Sequence, residues 1–292
     1  MPTKLKTRAV LAGAAAAAAA AVALPTAMAS ASPAGPGHAV KTTAASLPTI
    51  TVAMTGKKIT VGGTLQSGGV QIVSTVTGEP QGEPVFVRLD PGVTVAKFFK
   101  LLSGRAAQDP NYLDGYASIV TDAGAPAGTS TIQAKLAPGQ YVAFDAVRNN
   151  PAKWPFTTFK VAAAAHPASL PAPAATIAAI EFGFRGPGTL HDGGLVRFAN
   201  HGFLVHMIVF FTAKNATNAT KLAAALKAGD GRLARHLATG EGMFAGPLSH
   251  ASYQQLVVRN HPGYYVLACF METQDGRDHT LLGMERVIHI VK

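Results

Sequence analysis

The 292-residue chain has a single cysteine, Cys269, and it closes an apolar run, Gly263-Tyr264-Tyr265-Val266-Leu267-Ala268-Cys269. Nine residues separate it from His279, and four more separate that histidine from Met284. Upstream, Asn200-His201-Gly202-Phe203-Leu204-Val205-His206-Met207-Ile208-Val209-Phe210 places His206 at the head of another apolar run. A thiolate, two imidazoles and a thioether are soft to borderline donors, which favour copper over magnesium or calcium. Taken singly, each has a plainer role: a lone Cys as a small core residue, Met as a gap-filler, His on a surface loop.

In this order the three pieces resemble the cupredoxin (blue-copper) family. There an Asn-containing turn delivers a His ahead of an apolar strand, a Gly-x-Tyr-x-x-x-Cys strand follows, and a His-x-x-x-x-Met loop completes the set. The resemblance implies one copper ion held by His206, Cys269, His279 and Met284, with two imidazoles and the thiolate near-trigonal and a weak, long axial thioether. It covers the second half of the chain well and the first half only at the level of fold. The chain departs from the family in its Cys-to-His spacing, which is usually only a few residues. The nine residues centre on Gln274, beside the hairpin-turn dipeptide Asp275-Gly276. Folding there predicts Cys269 opposite His279, with Cα atoms about 4.5 to 5.5 Å apart. His201, His261, Met207 and Met271 lie close enough in sequence to support the site or stand in for a ligand, but each reads first as a structural or exposed residue.

Positioning such donors needs a rigid β framework, and the chain is patterned for one. Charged residues are 14% of the chain, with 30 glycines and 19 prolines, a composition suited to short strands and many turns. Short strands separated by Gly-rich turns are expected at Ile50–Met54, Ile59–Val61, Val70–Thr75 and Pro84–Leu89, then over 138–145 and 156–161. A helical insert is expected over about 93–103.

The second half repeats this order. Gly193-Gly194 answers Gly68-Gly69, His206–Phe211 answers Pro84–Leu89, a helical insert over about 219–237 answers the first, and 262–269 answers 138–145. On this alignment Pro84 and Asp145 stand where His206 and Cys269 stand later. The expected fold is therefore all-β: two tandem Greek-key β-sandwich (cupredoxin-like) domains with short helical inserts. The expected divisions are a signal peptide at 1–31, a flexible lead-in at 32–46, a domain without metal ligands at 47–161, an Ala/Pro linker at 162–175 and a domain with the candidate copper site at 176–292.

Lys4, Lys6 and Arg8 precede an Ala-rich apolar run that ends at Pro25, and small residues at 27–31 suit cleavage, the layout of a secretory leader. Its removal leaves 22 basic side chains (25 less 3) against 15 acidic ones. No block of five or more consecutive basic residues and no nucleic-acid motif occurs, so neither nucleic acid nor stable membrane insertion is expected, and the chain is expected to be secreted. A single thiol in an oxidising setting must be buried or metal-bound to escape oxidation. Asn215-Ala216-Thr217 and Asn218-Ala219-Thr220 match the glycosylation pattern.

The expected function is copper binding for electron transfer or copper handling, with a redox or copper-delivery protein as partner. The alternative is a metal-free cupredoxin-like module that binds a cell-wall, sugar or protein partner. No enzymatic activity is expected. The His-x-His pairs and His-flanked Cys of multicopper enzymes are absent, as are a nucleophile elbow, a P-loop, a dinucleotide fingerprint and a His-Glu-x-x-His pair.

Overall fold

The computed structural model describes residues 46–104, 106, 109–148 and 150–292. The signal peptide expected at 1–31 and, apart from Ser46, the lead-in expected at 32–46 lie outside the described residues.

The first half contributes β1 (Thr49–Thr55), β2 (Lys58–Gly63), β3 (Gly68–Gly82), β4 (Pro84–Leu89), β5 (Ala117–Asp122), β6 (Ala125–Leu136), β7 (Gly139–Asp145) and β8 (Phe156–Val161). The second contributes β9 (Ala175–Ile180), β10 (Gly183–Arg185), β11 (Thr189–His191), β12 (Leu195–Asn200), β13 (His206–Ala213), β14 (Ala238–Leu248), β15 (Tyr253–Val257), β16 (Gly263–Ala268) and β17 (Glu285–Val291). Each half is a sandwich: β5-β4-β7-β8 faces β6-β3-β1-β2, and β11-β17-β16-β13-β14 faces β10-β9-β12-β15.

Alternation drives the packing. Ile50, Val52 and Met54 turn inward along β1 while their neighbours face out, as a period of two requires. Both faces of β4 are covered. Phe86 packs inside the first sandwich, whereas Val85, Val87 and Leu89 join Phe98 and Leu102 of α1 (Val95–Leu102) in a core that continues into the second half and includes Cys269 and Met284. The first helical insert is shorter than the expected 93–103 because Thr94, not Val93, caps it, its side chain accepting from Lys97 N–H at 3.2 Å.

The second insert is two helices, α2 (Ala216–Lys227) and α3 (Gly231–Leu237), rather than one. Asn215 caps α2 ahead of the expected start, and Gly229 at φ +69° breaks the run before Asp230 caps α3. In α2, Ala219, Leu222 and Ala225 are buried with Val266 of β16.

The two halves share hydrogen bonds that the sequence does not announce. β15 pairs with β6 through Gln254–Ala134 and Gln255–Gln133, fusing two four-stranded sheets into one of eight. At the same seam Gln254 clamps the Asp122 backbone, accepting from its N–H at 3.0 Å and donating to its carbonyl at 2.6 Å. The Pro-containing stretch between the halves lies along β3. Gly69 N–H donates to the Ala168 carbonyl at 2.6 Å, and a Cβ on Gly69 would sit 2.9 Å from Leu170 N, so only glycine admits the approach.

The repeat is visible in detail at the two tyrosines. Tyr141 donates its hydroxyl proton to the Ala137 carbonyl at 2.8 Å, and Tyr265 donates to the His261 carbonyl at 2.7 Å, four residues upstream in each case. The strand ladders correct one part of the sequence alignment. Pro84 pairs with Asp145, whereas the β13–β16 ladder, whose last pair is Val209–Ala268, leads to Ile208 opposite Cys269. The counterpart of His206 is therefore Gly82, not Pro84, because pairing register and not motif spacing sets equivalence.

Candidate metal centre

His206 is the first residue of β13, and Asn200 at the end of β12 holds the intervening loop in shape. Its side-chain carbonyl accepts from Gly202 N–H at 2.8 Å, and its amide donates to the carbonyls of Leu204 at 2.6 Å and Leu248 at 2.8 Å. A residue of the other half also grips this loop: Val205 N–H donates to Asn111 Oδ1 at 2.7 Å. Asn111 lies in the turn Pro110–Leu113, where Asp109 fixes its side chain by accepting from Nδ2 at 2.7 Å.

Cys269 follows β16 directly, and His279 opens a 3-10 turn, His279–Leu282. The loop between them is a hairpin centred on Asp275 rather than on Gln274. Thr273 N–H donates to the Arg277 carbonyl at 2.9 Å and His279 N–H to that of Met271 at 2.8 Å, so His279 faces Met271 and not Cys269. The reason is Gly276, whose φ of +75° places the tight turn one residue later. Backbone bonds still tie the donors together: Met284 N–H donates to the His279 carbonyl at 3.0 Å, and Cys269 N–H to that of Met284 at 3.2 Å.

The side chains converge despite the shift. His206 Nδ1 and His279 Nδ1 are 3.2 Å apart, and Cys269 Sγ lies 3.4 Å from the second and 3.9 Å from the first. The point equidistant from these three atoms is about 2.0 Å from each, within the bond lengths that imidazole nitrogen and thiolate sulfur make to a first-row metal, about 2.0 to 2.3 Å. His206 is 2% exposed, and Cys269, His279 and Met284 are 0% exposed. Among the described residues this is the one cluster of three His, Cys, Asp or Glu side chains close enough to share an ion. The donor set and its spacing thus fit copper.

Burial keeps every donor neutral. It lowers the His206 pKa to about 3, with His279 adding to the fall and Glu181 opposing it. It lowers that of His279 to about 4, against a smaller opposing effect of Glu181. It pushes the Cys269 thiol up to about 12, while the N–H groups of Met207 and Met271 pull the other way. Met207 N–H reaches the sulfur at 3.4 Å. Neutral imidazoles are ready ligands, and the thiol has one proton to give up when a cation arrives.

The remaining neighbours divide clearly. Met207 and Met271 are buried around the sulfur; His201 and His261 are exposed and stand outside the cluster. Two side chains that the motifs did not flag sit on the two-residue turn between β9 and β10. Glu181 Oε1 accepts from the N–H groups of Phe203 and Leu204 and lies 4.0 Å from His206 Nε2. Desolvation works against the Glu181 carboxylate, and those two N–H groups, its own backbone N–H and the nearby His206 overcome it, holding the pKa below the ordinary glutamate value. With His206 neutral, this contact is not an ion pair. Phe182, at φ +57°, packs edge-on against the His279 ring at 5.2 Å. An exposed-turn Glu and Phe carry no spacing signal that could have singled them out.

No family model and no curated protein matches the chain. Solved structures do match. One is a dithionite-reduced auracyanin from the photosynthetic bacterium Roseiflexus castenholzii, 20% identical, covering 40% of this chain and 95% of that one at a TM-score of 0.27. Another is a copper-containing nitrite reductase from Thermus scotoductus SA-01, 11% identical over 84% of this chain and 68% of that one, TM-score 0.26. A third is a multicopper oxidase, 14% identical over 83% and 88%, TM-score 0.23. The expectation of no enzymatic activity is corrected here. A copper-containing nitrite reductase and a multicopper oxidase, both enzymes, stand among the matches, and a fold does not by itself exclude catalysis. That expectation is withdrawn. The resemblance to cupredoxins itself is visible in the sandwich and in the buried His206, Cys269 and His279 cluster with Met284 beside it. Among the described residues no helix is long and apolar enough to cross a membrane.

Proposed function

We propose that the chain binds one copper ion, which His206 Nδ1, His279 Nδ1 and Cys269 Sγ would hold with Met284 as a further donor, and uses it in an exported setting to move electrons or handle copper. The observation that carries this reading is the donor triangle, with sides of 3.2, 3.4 and 3.9 Å, closed off from solvent. When bound, copper supplies a one-electron couple. The residues supply the rest. Asn200 and Asn111 hold the His206 loop, the Asp275 hairpin holds His279 against Cys269, and the Met207 N–H stabilises charge on the sulfur. A scaffold packed this closely resists rearrangement between oxidation states. The division into units at 47–161 and 176–292, joined by 162–175, and the removal of residues 1–31 before release belong to the same reading.

The test is metal content with voltammetry on purified chain. One copper per chain and a reversible one-electron wave, both lost in Cys269→Ser, support the reading. No copper in the native chain overturns it and leaves a metal-free module, and equal copper content in the native chain and Cys269→Ser overturns it by placing the metal elsewhere. Release of copper on reduction would favour copper handling over electron transfer.

A further inference from the structure

Binding through Nδ1 imposes a condition on His206. A neutral imidazole carries its proton on one nitrogen only, so Nδ1 is bare when the proton is on Nε2. That Nε2 is buried and makes no hydrogen bond, and a buried N–H without an acceptor is costly. The carboxylate that faces it is Glu181, with Oε1 at 4.0 Å.

Three features show that this carboxylate is held in place. Glu181 sits on the two-residue turn between β9 and β10, and its Oε1 accepts from the N–H groups of both Phe203 and Leu204, in the loop that delivers His206. Gly202 leaves the gap open: a Cβ there would stand 2.5 Å from Glu181 Oε1 and 2.8 Å from His206 Nε2. The turn itself requires Phe182 at φ +57°, a conformation uncommon for a bulky residue.

Resting on the metal reading above, we infer that Glu181 is a positioning residue for the metal centre: it faces the Nε2–H of His206 and so leaves Nδ1 bare and aimed at the donor triangle. A ligating histidine generally directs its second ring nitrogen at such a group, which fixes the ring and raises its basicity. A negative charge there also favours the more positive, oxidised metal, so Glu181 lowers the reduction potential.

The test starts with the metal-free protein, where nitrogen-15 NMR of the imidazoles reads the tautomer. The native chain is expected to carry the His206 proton on Nε2. Glu181→Gln keeps an oxygen for the loop N–H groups and for Nε2, so the tautomer and melting temperature stay while the potential of the copper form rises. Glu181→Ala and, without touching the carboxylate, Gly202→Ala are expected to lose the tautomer preference and weaken copper binding about ten- to a hundredfold. A His206 proton found on Nδ1 in the native chain overturns the inference, as does Glu181→Ala with a native tautomer and potential. The tautomer is read without metal, so failed copper uptake removes the reading in the preceding subsection while the tautomer still decides this one.

Discussion

Asp145 at the end of β7 and Cys269 just past β16 take corresponding places in the two sandwiches, and they hold opposite chemistry. Each lies four residues beyond a tyrosine whose hydroxyl bonds four residues back. At the first, Asp145 is buried with Glu83 and Asp122 nearby; at the second, Cys269 meets two buried histidines. Residues 47–161 contain no histidine at all. In the first half, burial raises the pKa of Asp122 well above the ordinary value, helped by the charge of Glu83 and a hydrogen bond with it, and raises that of Asp145 more modestly against the N–H groups of Glu83 and Val147. In the second half the same burial lowers both imidazoles. Burial thus raises the pKa of acids at one place and lowers that of imidazoles at the other, and the bare imidazoles are the ready metal ligands. Function resides in the side chains placed on a shared scaffold.

The contrast can be broken most forcefully with the metal itself. Copper at about a thousand times its dissociation constant should stabilise the native chain by about 4 kcal/mol, read as a rise in melting temperature. The rise should vanish in His279→Ala and survive in Asp145→Asn. A rise that survives the first substitution would place the metal elsewhere.

Next in size is acid lability of the metal-free chain. His206 and His279 stay neutral when folded and take up protons on unfolding below their ordinary value of 6.5. Their contribution is complete above that pH and is lost as pH falls toward about 4 and then about 3. With two extra protons bound on unfolding, the loss is at most about 2.7 kcal/mol per pH unit, measured by denaturant unfolding across pH. The double variant His206→Gln, His279→Gln should flatten the curve.

The first half should respond in the opposite direction. Because the folded pKa of Asp122 is raised, its contribution is present at low pH and is lost as pH rises through the folded value, at up to about 1.4 kcal/mol per pH unit for one proton. Asp122→Asn should remove that part of the decline with rising pH, and an unchanged decline would assign it to other groups.

The smallest effect tests the bond between the halves at the site. Asn111→Ala leaves Val205 N–H without its acceptor, which should cost about 1 kcal/mol and weaken copper binding modestly although Asn111 lies in the half without donors. Equal copper affinity in the variant would show that the second half holds its loop alone.

How far the chain could be read follows from these same residues. The four candidate donors stand out because their side chains are rare and chemically distinct, above all the single cysteine, and the Pro-Gly-x-Tyr repeat points to two similar sandwiches. Strand register was harder to read. His206 matched Pro84 by motif, while the ladder matches it to Gly82, since spacing along one strand says nothing about which residue faces it across the sheet. The hairpin after Cys269 was placed one residue early because the φ of Gly276, not the midpoint of the loop, sets the turn. The β6–β15 seam, the Asn111 contact and Glu181 were invisible. Each joins residues far apart in the chain, Asn111 and Val205 by 94 positions and Glu181 and Phe203 by 22, through backbone pairing or through side chains that are ordinary in type.

The most direct test of the metal centre is a titration of the purified chain with Cu(II), followed by visible absorption. An intense thiolate-to-copper band that saturates at one equivalent, is absent in Cys269→Ser and is retained in Asp145→Asn is the predicted result. No band in the native chain, or the same band in Cys269→Ser, would contradict it.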